Sequence, residues 1–112
     1  MGDSILESIK KLIASDDYFD TDLIIHINTV FAKLQQMGVG PEGGFSISDN
    51  TAVWSDYTGS EAIFNMVKTY MTLQVKLYFD NSTLSSYVID LMKEQSAELE
   101  WRLNSACDYN SK

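Results

Sequence analysis

Apolar residues recur at helical spacing in four stretches of this 112-residue chain, and each stretch begins or ends at residues that start or stop helices. Ile5, Leu6, Ile9, Leu12 and Ile13 predict a short first helix over 4–14. Asp3 or Ser4 can cap it, and Glu7 suits the positive end of its dipole. Ser15-Asp16-Asp17-Tyr18-Phe19-Asp20 breaks the pattern. Thr21 then stands as a cap for a second helix over 22–37, striped by Leu23, Ile27, Val30, Phe31, Leu34 and Met37. Gly38 is the expected stop, because glycine accepts the left-handed conformation at a helix end. Ser60 caps a third helix over 61–79, with Ile63, Met66, Val67, Tyr70, Leu73, Leu77 and Tyr78 on a wide apolar face. After the break at Asp80-Asn81-Ser82-Thr83, a fourth helix over 84–104 carries Val88, Leu91, Met92, Gln95, Leu99 and Leu103 on one side. Glu98 and Arg102 form an i,i+4 pair in its favourable order.

Between the second and third helices the period changes. Residues 38–44 read Gly-Val-Gly-Pro-Glu-Gly-Gly and hold four of the six glycines and the only proline, which marks a loop. Phe45-Ser46-Ile47 and Ala52-Val53-Trp54 alternate as strands do, around the turn residues Ser48-Asp49-Asn50-Thr51. The pattern predicts a minor β-hairpin that must pack on helices or on another chain, since a lone hairpin is marginal in water. The expected fold is mainly α. It is a small bundle of about four helices, with a long antiparallel helical hairpin in the C-terminal half. One domain covers 1–104, with 38–59 as a loop or hairpin insertion, and 105–112 reads as a flexible C-terminal tail.

Composition narrows the function classes. With 45% hydrophobic and 21% charged residues and no apolar run near twenty, the chain reads as a globular domain without a membrane span. The start, Met1-Gly2-Asp3-Ser4, lacks the pattern of a signal peptide, and a single cysteine suits synthesis in a reducing cytoplasm. Sixteen acids against eight bases give −8, which disfavours tight binding to nucleic acid or to anionic membranes. The same charge leaves room for a basic protein partner.

Candidate chemistry is sparse. His26, the only histidine, lies between Ile25 and Ile27 on a helix and reads as a surface or half-buried residue rather than a general base. Cys107, beside Asp108, has a neighbour that opposes thiolate formation. One His and one Cys cannot build a zinc site from such ligands. Asp16, Asp17, Asp20 and Asp22 suggest calcium, but from Asp16 the sixth position is Thr21 and the twelfth Ile27, where an EF-hand needs Gly and Glu. The glycine run lacks the Gly-Lys-Ser/Thr ending of a phosphate-binding loop. The expectation is no catalytic residue, no metal and no cofactor.

Thirteen aromatic rings in so small a domain point instead to packing and interfaces. Several strings occur in a telling order: Asp20-Thr21-Asp22 with His26-Ile27-Asn28, Gly38-Val39-Gly40-Pro41, Trp54, Val67-Lys68-Thr69-Tyr70, Lys76, Phe79-Asp80, Met92-Lys93-Glu94-Gln95 and Glu98-Leu99-Glu100-Trp101-Arg102-Leu103. Over about 4–104 the chain resembles the head–tail connector (adaptor) proteins of tailed bacteriophages and prophages. One departure is Asn81-Ser82, where the resemblance leads one to expect proline after Phe-Asp, and this bears on the stiffness of the hairpin turn.

The resemblance implies a non-enzymatic virion part made in the bacterial host cytoplasm and placed at the head–tail interface. It implies a homo-oligomeric ring beneath the portal protein that extends the DNA channel and offers a platform to a stopper or tail-completion protein. DNA would pass without specific binding, since an acidic lining repels phosphates. Candidate oligomer or partner contacts are Phe45, Ile47, Val53, Trp54, Tyr57, Trp101 and Arg102. The 38–57 segment and the tail are expected to be mobile in the free subunit and ordered on docking, with Trp54 as either an interface residue or a plug in the subunit's own core. Two other readings are a small acidic adaptor or inhibitor of the DNA-mimic type that binds a basic partner, and a subunit or regulator of a larger enzyme.

Overall fold

The computed structural model describes residues 2–13, 19–80 and 84–110. Five helices run through the described residues: α1 (Ile5–Ile13), α2 (Asp20–Gln36), α3 (Trp54–Tyr57), α4 (Glu61–Asp80) and α5 (Ser86–Asn110). The mainly helical fold is the one the apolar periodicity predicts. The break at 15–18 and the departure at Asn81-Ser82 lie outside the described residues.

The helix starts follow from local hydrogen bonding. The Glu7 N–H donates to Ser4 Oγ at 3.2 Å, Ile63 N–H to Ser60 Oγ at 3.3 Å, and Val88 N–H to Ser85 Oγ at 3.2 Å. Each bond satisfies one of the amides that a helix N-terminus leaves without an internal partner. Thr21 is not the cap of α2. That helix begins at Asp20, after Phe19, without a side-chain cap, and places Asp20 and Asp22 in its first turn where the dipole favours them. At its other end Gly38 adopts φ 81°, its N–H donates to the Gln35 carbonyl, and Val39 N–H donates to that of Leu34. This paired closure is the Schellman arrangement, and the chain leaves it with Val39 buried. α5 continues to Asn110, past the end expected at 104, because residues 104–110 hold neither glycine nor proline to stop a helix.

α4 is the hub. It packs against α1 and α2 on one side and α5 on another. Ile5, Ile9, Leu23, Ile27, Val30, Leu34, Val67 and Val75 are fully buried between the first three. Full burial of each such side chain contributes about 1.5–3 kcal/mol before entropy is counted. Lys10 is buried as well and ties α1 to α2, with its Nζ 3.0 Å from Asp20 Oδ1 and 3.5 Å from Glu7 Oε1.

The β-hairpin expected at 45–54 is not present: the described residues contain no named strand, and one isolated antiparallel bridge joins Ser4 to Val53. A lone short hairpin is marginal, and the backbone groups of this one pair elsewhere. The Asn28 side chain substitutes for a strand at Ile47. Its amide NH₂ donates to the Ile47 carbonyl at 2.9 Å, and its Oδ1 accepts the Ile47 N–H at 2.8 Å. Asp49 Oδ1 accepts from both Thr51 N–H and Thr51 Oγ1, which turns the chain and holds the Asp49 carboxyl below its ordinary pKa. Ile5 N–H donates to Ala52 O and Trp54 N–H to Asp3 O, stitching the segment to the start of α1. Val53 N–H then donates to Asp56 Oδ2 at 3.1 Å and opens the single turn of α3 where a strand was expected.

Candidate functional site

The seven contact candidates divide sharply by burial. Trp54, Tyr57 and Ile47 lie in the hydrophobic core, with Trp54 fully excluded from solvent. Phe45, half-buried, joins an aromatic triangle: Phe31–Phe45, Phe31–Tyr57 and Phe45–Tyr57 centroids are 5.0, 4.8 and 5.3 Å apart. Trp54 meets Phe64 of α4 edge-on at 5.5 Å. Val53 is half-buried at the bridge to Ser4. These five side chains hold the 38–57 segment onto the subunit. Gly40 shows how closely: at φ 94°, a Cβ there would lie 2.6 Å from the Tyr57 ring.

Trp101 and Arg102 behave differently. Trp101 is 70% exposed on α5, and Arg102 Nη2 donates to Glu98 Oε1 at 2.7 Å across an exposed pair. The reason lies in how α5 packs. Among its described side chains, Ile89, Met92, Ser96, Leu99 and Leu103 follow alternating steps of three and four and are buried or half-buried, with half-buried Glu100 beside Leu99. This spacing is the seam of two helices packed side by side. The opposite face, residues 87, 91, 94, 98 and 101, carries Tyr87, Leu91, Glu94, Glu98 and Trp101. Tyr87 is 72% exposed and Leu91 40%. Trp101 is a predicted contact residue, whereas its companions Tyr87 and Leu91 are not, since the apolar pattern places Leu91 in the inward stripe. Steps of three and four centred on Ser96 would have found the true seam.

Beside the hairpin runs an open trough. One end, with a volume of about 540 Å³, is lined by Leu12 of α1 and by Asn65, Lys68, Thr69, Thr72 and Leu73 of α4. It shares Thr69 and Leu73 with a second hollow of about 300 Å³ that reaches Met66, Gln95, Glu98, Leu99 and Arg102. Leu12 is half exposed there. Among the described residues, no carboxylate lies within ion-pair distance of Lys11, Lys68 or Lys76. The Lys68 ammonium sits 5.5 Å from the Phe64 ring centroid.

The residues weighed for chemistry have structural surroundings. His26 stacks on Tyr78 at 5.3 Å, and Lys33 Nζ lies 5.2 Å from the same ring while donating to Gln74 Oε1 at 3.1 Å. These contacts fasten α2 to α4. Tyr70 is buried on α4, and burial, reinforced by Glu100 and Tyr78, pushes its phenol far above the usual range. No group of three His, Cys, Asp or Glu suited to a metal occurs among the described residues. The Cys107 side chain, Asp16 and Asp17 lie outside what is described.

A family model described as phage connector protein matches residues 5–110, nearly the whole chain. The chain belongs to the phage connector protein family. Neither a curated protein nor a solved structure matches it. Membership makes the connector a structural phage protein and a virion component that meets other head and tail proteins; the family itself is a non-enzymatic one. No helix among the described residues of the connector is long and apolar enough to cross a membrane.

Proposed function

We propose that this connector assembles into a ring beneath the portal, extends the DNA channel and joins the head to the tail through a stopper or tail-completion protein. The observation that carries the reading is the bare outer face of α5, where two large aromatic side chains stand in solvent on a chain of the connector family. Exposed Tyr and Trp on a rigid helix are what interfaces use as anchors. Rings arise when head-to-tail contacts close on themselves, so each subunit must offer two different patches, as α5 and the trough beside it do. The net charge of −8 suits a channel wall that repels phosphates and lets DNA slide.

Electron microscopy of the purified connector, alone and mixed with portal rings, tests this. The expected result is a ring with an open centre, coaxial with the portal. Particles that stay monomeric at high concentration and leave portal rings undecorated would overturn it.

A further inference from the structure

We infer that the outer face of α5 in one subunit docks into the α1–α4–α5 trough of the next subunit. The inference rests on the ring reading and specifies its contact. The α5 face presents Tyr87, Leu91 and Trp101 as apolar anchors, with exposed Glu94 between them. The exposed Asp90 flanks it. The trough presents the reverse. Its apolar positions are Leu12, Met66, Leu73 and Leu99, and its charged floor holds Lys68, with Lys76 one turn beyond Thr72 and Lys11 on the α1 rim.

Charge complementarity selects the occupant. Acids outnumber bases two to one in this chain, yet Lys11 and Lys68 line the trough and Lys76 follows two turns beyond Lys68 on α4, none of them with an ion-pair partner among the described residues. Asp3 and Glu7 border the trough only at the start of α1, and Glu98 is held by Arg102. A helix that brings carboxylates between aromatic anchors is therefore the matching partner, and this chain carries such a helix face opposite the α4 seam. The lengths agree. Tyr87 to Trp101 spans about 21 Å of helix and Asn65 to Lys76 about 17 Å. The two patches differ and adjoin along the Glu98–Arg102 edge of α5, so the contact propagates head to tail instead of closing a pair. Recognition takes the helix-in-groove form, with anchors at i, i+4 and i+14.

The test is assembly of the full connector, alone and with portal rings, followed by sedimentation velocity and native mass spectrometry. Trp101→Ala is expected to raise the concentration for half-assembly about tenfold or more, as loss of an interface anchor does. Its melting temperature should match wild type. Lys68→Glu and Glu94→Lys should each weaken assembly, and one chain carrying both should regain most of it, since every contact then pairs reversed charges. An equimolar mixture of Trp101→Ala and Lys68→Glu subunits should stop at dimers, because only one productive contact can form. If wild type assembles and the three single variants assemble equally well, the ring stands and this contact is wrong. Weak singles without recovery in the double variant would also overturn the pairing. If wild type never assembles, with or without portal, the ring reading falls and takes the contact with it.

Discussion

The 38–57 segment and α5 both present aromatic residues, and the fold treats them in opposite ways. Trp54 and Tyr57 turn inward and lose nearly all contact with solvent, while Tyr87 and Trp101 keep most of theirs. The difference lies in what surrounds each element. The segment threads between the start of α1 and the flank of α2, where Asn28, Asp3 and Ala52 supply hydrogen bonds for a backbone without a ladder. α5 packs chiefly on α4, along one seam, so its described side chains from 86 to 105 are covered on one side. Irregular backbone must find partners for its polar groups, and it finds them by burying itself in the bundle. A helix satisfies its own backbone and can afford a bare face.

The largest effect is expected at Trp54. Trp54→Ala should destabilise the isolated subunit by about 3–5 kcal/mol, the usual cost of emptying a large aromatic site. Urea denaturation followed by far-ultraviolet circular dichroism measures it. A loss below about 1 kcal/mol would mean that the segment is not part of the core. Trp54→Phe should cost less, since the indole Nε1 has no hydrogen-bond partner among the described residues and nothing polar is lost with it.

Two backbone devices come next. Gly40→Ala places a methyl against the Tyr57 ring at a φ of 94°, so a loss of about 1–3 kcal/mol is expected. Asn28→Ala removes both hydrogen bonds to Ile47 and should cost about 1–2 kcal/mol. Hydrogen exchange should show the Ile47 amide losing protection in that variant while α4 stays protected. Amides across 38–57 exchanging as fast in wild type as in the variant would favour the mobile segment expected from glycine content alone.

How much of this was legible beforehand depends on the kind of signal. Helix existence followed from stripes such as Leu23-Ile27-Val30-Phe31-Leu34, all of which are buried. Ser4, Ser60 and Gly38 announced their own roles because caps and stops are local chemistry. The segment at 45–54 was misread because alternation describes one apolar face without saying what covers it. Asn28, nineteen residues before Ile47, is a partner that no local pattern reveals. Lys10 reads as a surface charge until Asp20 is brought to it. On α5, Met92, Leu99 and Leu103 face inward as the pattern predicts, while Val88, Leu91 and Gln95 lie one position from the seam and are exposed. Charge along the trough is invisible in the sequence because Lys11 and Lys68 stand 57 residues apart and reach one hollow only through the packing of α1 on α4.

The inner side of α5 can be probed by pH. Tyr70 is held protonated first by burial, then by Glu100 on α5 and by Tyr78. Its pKa is higher folded than unfolded, so above an ordinary tyrosine pKa of about 10 the unfolded chain has released a proton that the native state still holds. Stability therefore falls as pH rises past that point, by at most about 1.4 kcal/mol per pH unit for this one group. Spectrophotometric titration should show one tyrosine silent until the protein unfolds, and Tyr70→Phe should remove it. A full set of tyrosines titrating near 10 in the native connector would contradict the buried seam.

The smallest effect is expected on the outer side of the same helix. Trp101→Ala should change the stability of the monomeric subunit by less than about 0.5 kcal/mol, despite removing the larger kind of aromatic residue. The side chain is 70% exposed and points away from the α4 seam, so the native state loses little buried area and opens no cavity. Leu91→Ser should be similarly mild, whereas Leu103→Ala, at a fully buried seam position, should cost about 2–5 kcal/mol. The three variants thus read the helix by face, measured in urea at concentrations low enough to keep the subunit monomeric. If Trp101→Ala costs as much as Leu103→Ala, the indole is covered within the subunit, and the bare face on which the proposed contact depends does not exist.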